Sequence, residues 1–214
     1  VESRPDWCIS RQRTWGVPIP AFYNADGEPL LDARIVRKTA DLIEQHGSNI
    51  WFERDTAELW ADVRPDDWTE DAPTKKSTDT LDVWIDSGSS SRAVLMQREE
   101  LRRPDKEGIE NWQADVYLEG SDQHRGWFQS SLLLSLAGNG APPYKTVLTH
   151  GFMVDADRAK IAKSNQGANT KPQTCEAYIG EYGADIVRLW IASQDFRNDI
   201  TVSNDNERIK KVAE

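Results

Sequence analysis

Apolar and polar positions fall into strand, turn and helix in immediate succession along Asp115-Val-Tyr-Leu-Glu-Gly-Ser-Asp-Gln-His-Arg-Gly-Trp-Phe-Gln129. Val116, Tyr117 and Leu118 form a β-prone run, Gly120-Ser121-Asp122 predicts a tight turn, and residues 127–136 are apolar enough to pack back onto a sheet as a helix. Gly138-Asn-Gly-Ala-Pro-Pro143 stops that helix. Tyr144-Lys-Thr-Val-Leu-Thr-His-Gly-Phe-Met-Val154 then predicts a further strand, giving a β-α-β unit with parallel strands and a right-handed crossover. Ligands of open α/β sheets collect at such strand ends. The helix start offers N–H groups to an anion, and Glu119 and Asp122 offer acceptors to hydroxyls. Helix capping by Asp122 or Ser121 is the competing use of the same residues.

Upstream, Trp7-Cys-Ile9 predicts a short strand, followed by a polar turn that ends in Gly16, Pro18 and Pro20. Arg11 and Arg13 in that turn either hold phosphate or solvate it. Residues 30–45, with Ile35, Ala40, Leu42 and Ile43, predict an amphipathic helix ended by Gly47, and residues 56–63 predict an acidic one. The stretch 24–80 therefore reads as an inserted subdomain of small helices and loops whose acids form a solvated face. Thr80-Leu-Asp-Val-Trp-Ile-Asp86 alternates as a strand. Its Trp84 and Ile85 would face opposite sides, one lining a pocket or both in the core. The small residues from Ser87 open a helix over 93–101.

Downstream, residues 155–171 form a long loop carrying Lys160, Lys163 and Ser164, either a lid or an exposed basic loop. It lacks the glycines of a P-loop. Helices are predicted over 172–182 and 184–193, broken at Gly183, with Ile186, Leu189 and Trp190 on one face. Residues 195–203 read as extended, and 206–214 as the start of a helix.

A formal charge of -10 excludes wrapping by nucleic acid over the whole face, so any such contact uses a local basic patch. Cys8 and Cys175 lie far apart, and His46, His124 and His150 lack zinc-site spacing, so no structural metal is expected. Both thiols read as buried or half-buried in a reducing compartment. The longest apolar run, 132–137, is far short of the roughly 20 residues a membrane span needs. No membrane partner and a cytoplasmic location are expected. The nine tryptophans are scattered along the chain, which suits core filling better than a row for stacking bases. The abrupt start at Val1-Glu-Ser-Arg-Pro-Asp-Trp suggests a segment of something larger.

Several stretches together resemble the class I aminoacyl-tRNA synthetases, and among them the isoleucine-specific branch. Ser10-Arg-Gln-Arg-Thr-Trp-Gly-Val-Pro-Ile19 resembles the family's re-entry into the catalytic domain, and Leu81-Asp-Val-Trp-Ile-Asp-Ser-Gly-Ser89 resembles the strand that follows. Tyr117-Leu-Glu-Gly-Ser-Asp-Gln-His-Arg-Gly-Trp-Phe128 is the stretch that separates the isoleucine branch from its leucine and valine relatives. Lys160-Ile-Ala-Lys-Ser164 stands where the family's KMSKS loop belongs, with both lysines kept, and Arg158-Ala159 replaces the usual Gly-Arg. Tyr182-Gly-Ala-Asp-Ile-Val-Arg-Leu-Trp190 resembles the helix after it. The chain carries no HIGH-type motif.

The fold implied is α/β: half of a Rossmann-type parallel-sheet nucleotide-binding domain, with a small inserted helical and loop subdomain and a C-terminal helical segment. Residues 1–23 would be the re-entry strand, 24–80 the insert, 81–171 the second half of the catalytic fold with its lysine loop, and 172–214 a helical lead toward a further domain. By the same resemblance Glu119, Gly120, Asp122 and Gln123 would bind the aminoacyl-adenylate, Asp122 at the ribose and Gln123 at the amino-acid end. Trp127 and Trp84 would wall the isoleucine pocket, and Lys163 and Lys160 would neutralise the phosphates of ATP, which enters as substrate with Mg2+. The implied partners are isoleucine, ATP, tRNA(Ile) and a HIGH-bearing N-terminal half. The implied function is that of a fragment of a synthetase, weak or inactive alone. The alternative is a non-catalytic adenylate- or tRNA-binding module derived from one.

Overall fold

The computed structural model describes residues 5–104, 110–155, 174–202 and 207–214. The chain divides into two compact units, Val1–Ser89 and Ser90–Glu214.

In the first unit the order is β1 (Ser10–Arg11), β2 (Phe22–Tyr23), β3 (Pro29–Leu30), α1 (Ala33–His46), α2 (Ile50–Glu53), α3 (Thr56–Val63), β4 (Lys75–Lys76), β5 (Thr80–Leu81) and α4 (Val83–Gly88). Residues 24–80 hold more than helices and loops: their β3 and β4 flank β2 in a three-stranded antiparallel sheet, with Phe22 opposite both Leu30 and Lys76. Phe22, Ile35, Trp51, Leu59, Trp60 and Val63 bury together beneath it. Phe22 meets Trp51 edge-on at 5.2 Å and Trp60 at 5.3 Å, while Trp60 meets Trp68 at 5.2 Å, the arrangement that ring quadrupoles favour. The Trp51 indole N–H donates to the Ser77 carbonyl at 2.8 Å, so the buried ring keeps its polar atom satisfied. Buried Thr39 does the same by donating back to Ile35 O at 2.8 Å. Asp32 caps α1, and Asp55 with Glu58 forms a reciprocal capping box on α3.

The alternating stretch 80–86 departs from its strand pattern after Leu81. Asp82 accepts from the Trp84 amide at 2.9 Å and caps α4. It is buried, and it also accepts from the Trp7 indole at 3.1 Å and from the Arg11 guanidinium. Arg11 is thus committed to Asp82 and to the Cys8 and Ser10 carbonyls rather than to solvation alone. The early strand forms at Ser10–Arg11, paired antiparallel with Thr80–Leu81, instead of at 7–9.

The second unit runs from a wide π-helical turn at Ser91–Leu95 and a 3-10 turn at Glu99–Leu101, where a continuous helix is expected, into β6 (Arg103–Pro104), β7 (Glu110–Asn111) and β8 (Ala114–Gly120). A 3-10 turn (Ser121–Arg125), α5 (Trp127–Asn139), β9 (Tyr144–His150), β10 (Met153–Val154), α6 (Cys175–Tyr182), α7 (Ala184–Ala192), β11 (Ile200–Thr201) and α8 (Glu207–Ala213) follow. β8 and β9 are parallel, in register from Ala114 opposite Tyr144 to Gly120 opposite His150. α5 places Phe128, Ser130, Ser131 and Ser135 in buried positions, and its small serines allow close approach. Val116 and Leu118 stay exposed. β10 and β11 form a second parallel pair. Tyr178, Trp190, Val202 and Ile209 make a separate core with Ile186 and Val187 against it. Leu189, expected on that face, points outward, since Ile186 and Trp190 at four-residue spacing take the inner face. The fold is a mixed α/β arrangement with small parallel sheets. Both cysteines are exposed, contrary to the expectation of burial. Among the described residues no helix is long and apolar enough to cross a membrane.

Candidate functional site

The in-register β8–β9 pair delivers Glu119-Gly120 and Thr149-His150 side by side at the strand ends. Gly120 has ordinary extended backbone, φ -68° and ψ 164°, so its need for glycine is steric. A Cβ there would lie 2.7 Å from Cε1 and Cζ of Phe152 and 3.0 Å from Asp122 Oδ1. The Phe152 ring and the Asp122 carboxylate therefore close directly onto the strand end. Glu119 folds its Oε1 onto the Gly120 amide at 3.0 Å, and His150 Nε2 stands 3.8 Å from the same oxygen. His150 Nδ1 is 2.8 Å from the Gly151 carbonyl, an acceptor only, so Nδ1 carries the proton and Nε2 faces Glu119 as a donor when the ring is protonated.

Beyond the turn, Gln123 Oε1 accepts from the Trp127 amide at 2.9 Å, satisfying the first N–H of α5. That leaves the Gln123 NH2 end as the part suited to a ligand acceptor. His124 Nε2 lies 3.0 Å from Thr149 Oγ1 and ties the turn to the neighbouring strand. The Trp127 indole stacks on Tyr117 with centroids 4.0 Å apart and planes 9° apart, and its N–H reaches Ser90 Oγ at 3.1 Å. Tyr117 is buried, and burial pushes its phenol above the ordinary value while hydrogen bonds with Ser90 and Ser131 pull it down.

Glu119, Gly120, Asp122, Gln123 and Trp127 are thus gathered within one strand–turn–helix junction. Trp84 belongs to the first unit, on the first turn of α4 and 37% exposed, so it does not alternate on a strand with Ile85. Lys160 and Lys163 lie outside the described residues. Tyr117, Ser90, His150 and Phe152 complete the junction without having been singled out. Alternation places Tyr117 on the helix side of β8, a signal readable in hindsight, whereas nothing local marks Ser90. Among the described residues no group of three or more His, Cys, Asp or Glu could hold a metal ion. Chemically, the junction presents carboxylates to hydroxyl or ammonium donors beside an aromatic wall, with no activated nucleophile.

The model for class I tRNA synthetases (I, L, M and V) matches residues 1–203. The chain belongs to the class I tRNA synthetase family. Within that family it is 51% identical, over 96% of its length, to isoleucine–tRNA ligase of Methylacidiphilum infernorum, and 46% identical, over all of it, to that of Bacillus mycoides. The chain spans about a fifth of those synthetases, 20% and 22% respectively. Among solved structures it resembles the LeuRS of Agrobacterium radiobacter K84 in its ternary complex with tRNA and LeuAMS, at TM-score 0.58 and 22% identity. That likeness covers 98% of this chain and 26% of that one, and it speaks to fold alone.

Proposed function

We propose that this chain is a segment of an isoleucine–tRNA ligase, drawn from the second half of a Rossmann-type catalytic domain, and that it serves ATP-dependent activation of isoleucine and its transfer to tRNA(Ile). Identity of 46–51% with isoleucine–tRNA ligases along nearly the whole chain is the observation that carries this reading. Residues 1–23 act as the re-entry strand, 24–80 as the insert, 81–171 as the half-fold with its lysine loop, and 172–214 as the lead toward a further domain.

In this reading the isoleucine carboxylate attacks the α-phosphorus of ATP and pyrophosphate leaves, with Mg2+ accompanying the nucleotide as part of the substrate. Positioning and charge stabilisation carry such a transfer. Asp122 accepts from ribose hydroxyls. Glu119, whose carboxylate is held by the Gly120 amide, accepts from donors at the strand end, and Gly120 lets the ligand lie against backbone. Gln123 turns its free NH2 end to the amino acid, Trp127 and Trp84 wall the side chain, and Lys163 and Lys160 neutralise phosphate charge. A HIGH-bearing segment supplies the rest of the ATP site.

The test is ATP–pyrophosphate exchange in the full-length protein. Asp122→Asn is expected to lower isoleucine-dependent exchange roughly tenfold to a hundredfold, as loss of a hydrogen bond to a charged group does. The 214-residue chain alone is expected to exchange weakly or not at all. Unchanged exchange in Asp122→Asn refutes the residue assignment. Binding of an isoleucyl-adenylate analogue without exchange in the full-length protein favours a non-catalytic binding module instead.

A further inference from the structure

Three side chains that make none of the proposed ligand contacts engage Trp127. Tyr117, 4% exposed, lies flat against one face of the indole, centroid to centroid 4.0 Å. Ser90 Oγ takes the indole N–H at 3.1 Å. Ser131, fully buried, donates to the Trp127 carbonyl at 2.6 Å, and its hydroxyl, like that of Ser90, stands close enough to the Tyr117 phenol to draw its titration down. Ser90 and Tyr117 thus engage the indole at two different places, its N–H and its face. An indole fixed only by packing can tilt about its side-chain torsions; one stacked on a buried ring and pinned at its far nitrogen cannot tilt without breaking the pin.

We propose that Tyr117 and Ser90 are positioning residues that fix the plane of Trp127, and that the fixed plane sets selection between amino acids differing by one methylene. The inference rests on the pocket role proposed for Trp127. An apolar wall separates such side chains through one missing contact, worth about 10- to 200-fold, and only if the wall does not collapse onto the smaller one. A tethered ring cannot follow a smaller side chain inward, whereas an untethered ring can.

The experiment measures kcat/KM for isoleucine and for valine by ATP–pyrophosphate exchange in the full-length ligase, a step that precedes any hydrolysis of wrong products. Ser90→Ala is expected to lower the isoleucine-to-valine ratio roughly threefold to tenfold, the effect of one lost hydrogen bond, and to act on KM more than kcat. Ser90→Thr keeps the hydroxyl and is expected to restore the ratio. Tyr117→Phe should reproduce part of the loss and Tyr117→Leu more of it. If both amino acids lose activity by one common factor, or if the ratio is unchanged in Ser90→Ala and Tyr117→Leu, the two residues are merely structural and the proposal is overturned. If Trp127→Ala leaves isoleucine activation intact, the pocket reading itself falls. Thermal unfolding of each variant, with Ser90→Ala as the least disruptive, separates a folding defect from a change of selectivity.

Discussion

Gly151 is the position where a single methyl group is expected to do the most damage per atom. A Cβ built there would stand 2.3 Å from both C and O of Asn198 and 2.6 Å from the Asp199 nitrogen, all backbone atoms. Ordinary contact begins at 3.4 Å, so the segments must part by about 1.1 Å. Four hydrogen bonds span that seam at 2.8 Å: Gly151 N–H to Phe196 O, Phe152 N–H to Asp199 Oδ1, Ile200 N–H to Phe152 O and Val202 N–H to Val154 O. Opening by that amount stretches the nearest of them to roughly 3.9 Å, beyond hydrogen-bonding range. With about 1 kcal/mol for each bond lost and the strain of overpacking added, Gly151→Ala should cost at least about 3 kcal/mol. Gly120→Ala supplies the control in the same unit. Its Cβ meets the rim of the Phe152 ring and a carboxylate oxygen, side-chain atoms that rotate away, so about 1 kcal/mol is expected. Urea unfolding followed by far-ultraviolet circular dichroism gives the two midpoints. Hydrogen exchange of the amides of Phe152, Ile200 and Val202 should accelerate in Gly151→Ala and stay close to wild type in Gly120→Ala. Equal stabilities, or a Gly151→Ala loss below about 1 kcal/mol, would refute the reasoning from backbone contact.

Other expectations follow from single contacts. Burial pushes the Asp82 carboxyl up, but the Trp84 amide, the Trp7 indole and Arg11 outweigh it and hold the group below its ordinary range. Its contribution is therefore complete above the unfolded value of about 3.9 and fades as pH falls through the lower folded value. Asp82→Asn should lose about 1–3 kcal/mol at pH 7 and show a flatter acid limb than wild type; parallel acid limbs in urea titrations would refute it. Gln123→Ala should cost about 1 kcal/mol by freeing the first amide of α5, with Gln123→Glu retaining most of it because the acceptor remains; identical losses in thermal melts would count against the cap. Trp51→Ala removes a fully buried ring and its bond to Ser77 O, so about 3–5 kcal/mol should go, seen as loss of the first unit's cooperative transition.

The β-α-β unit was legible because its signals are local: Val116-Tyr-Leu118 is β-prone, residues 127–139 are apolar and stopped at Gly140, and the next β-prone run follows within a few residues. The stretch 80–86 misled because Leu81, Val83 and Ile85 alternate while Asp82 decides. Its side chain competes for the local backbone and converts strand to helix, and it can be buried there only because Trp7 and Arg11, 75 and 71 residues away in sequence, supply donors. No local pattern records those partners. The core of the first unit was illegible for a similar reason, since Phe22 meets Trp51 and Trp60 in T-shaped contacts from three separate elements.

The candidate site was legible as a set of residue types and illegible as a set of commitments. Glu119 and Gln123 each carry two acceptor or donor ends, and the fold uses one end of each: a Glu119 oxygen on the Gly120 amide, the Gln123 oxygen on the Trp127 amide. The sequence offers Asp122 or Ser121 as the cap of this helix, whereas the Trp127 amide is met by Gln123, an amide whose second end stays available while the first is used. The division of labour also orients those side chains before any ligand arrives, which lowers the ordering cost of binding. Register carries the same logic to the neighbouring strand: because Gly120 lies opposite His150, the imidazole and the Phe152 ring reach the junction from a stretch thirty residues on, and substitutions there should perturb the site as directly as changes within 119–127.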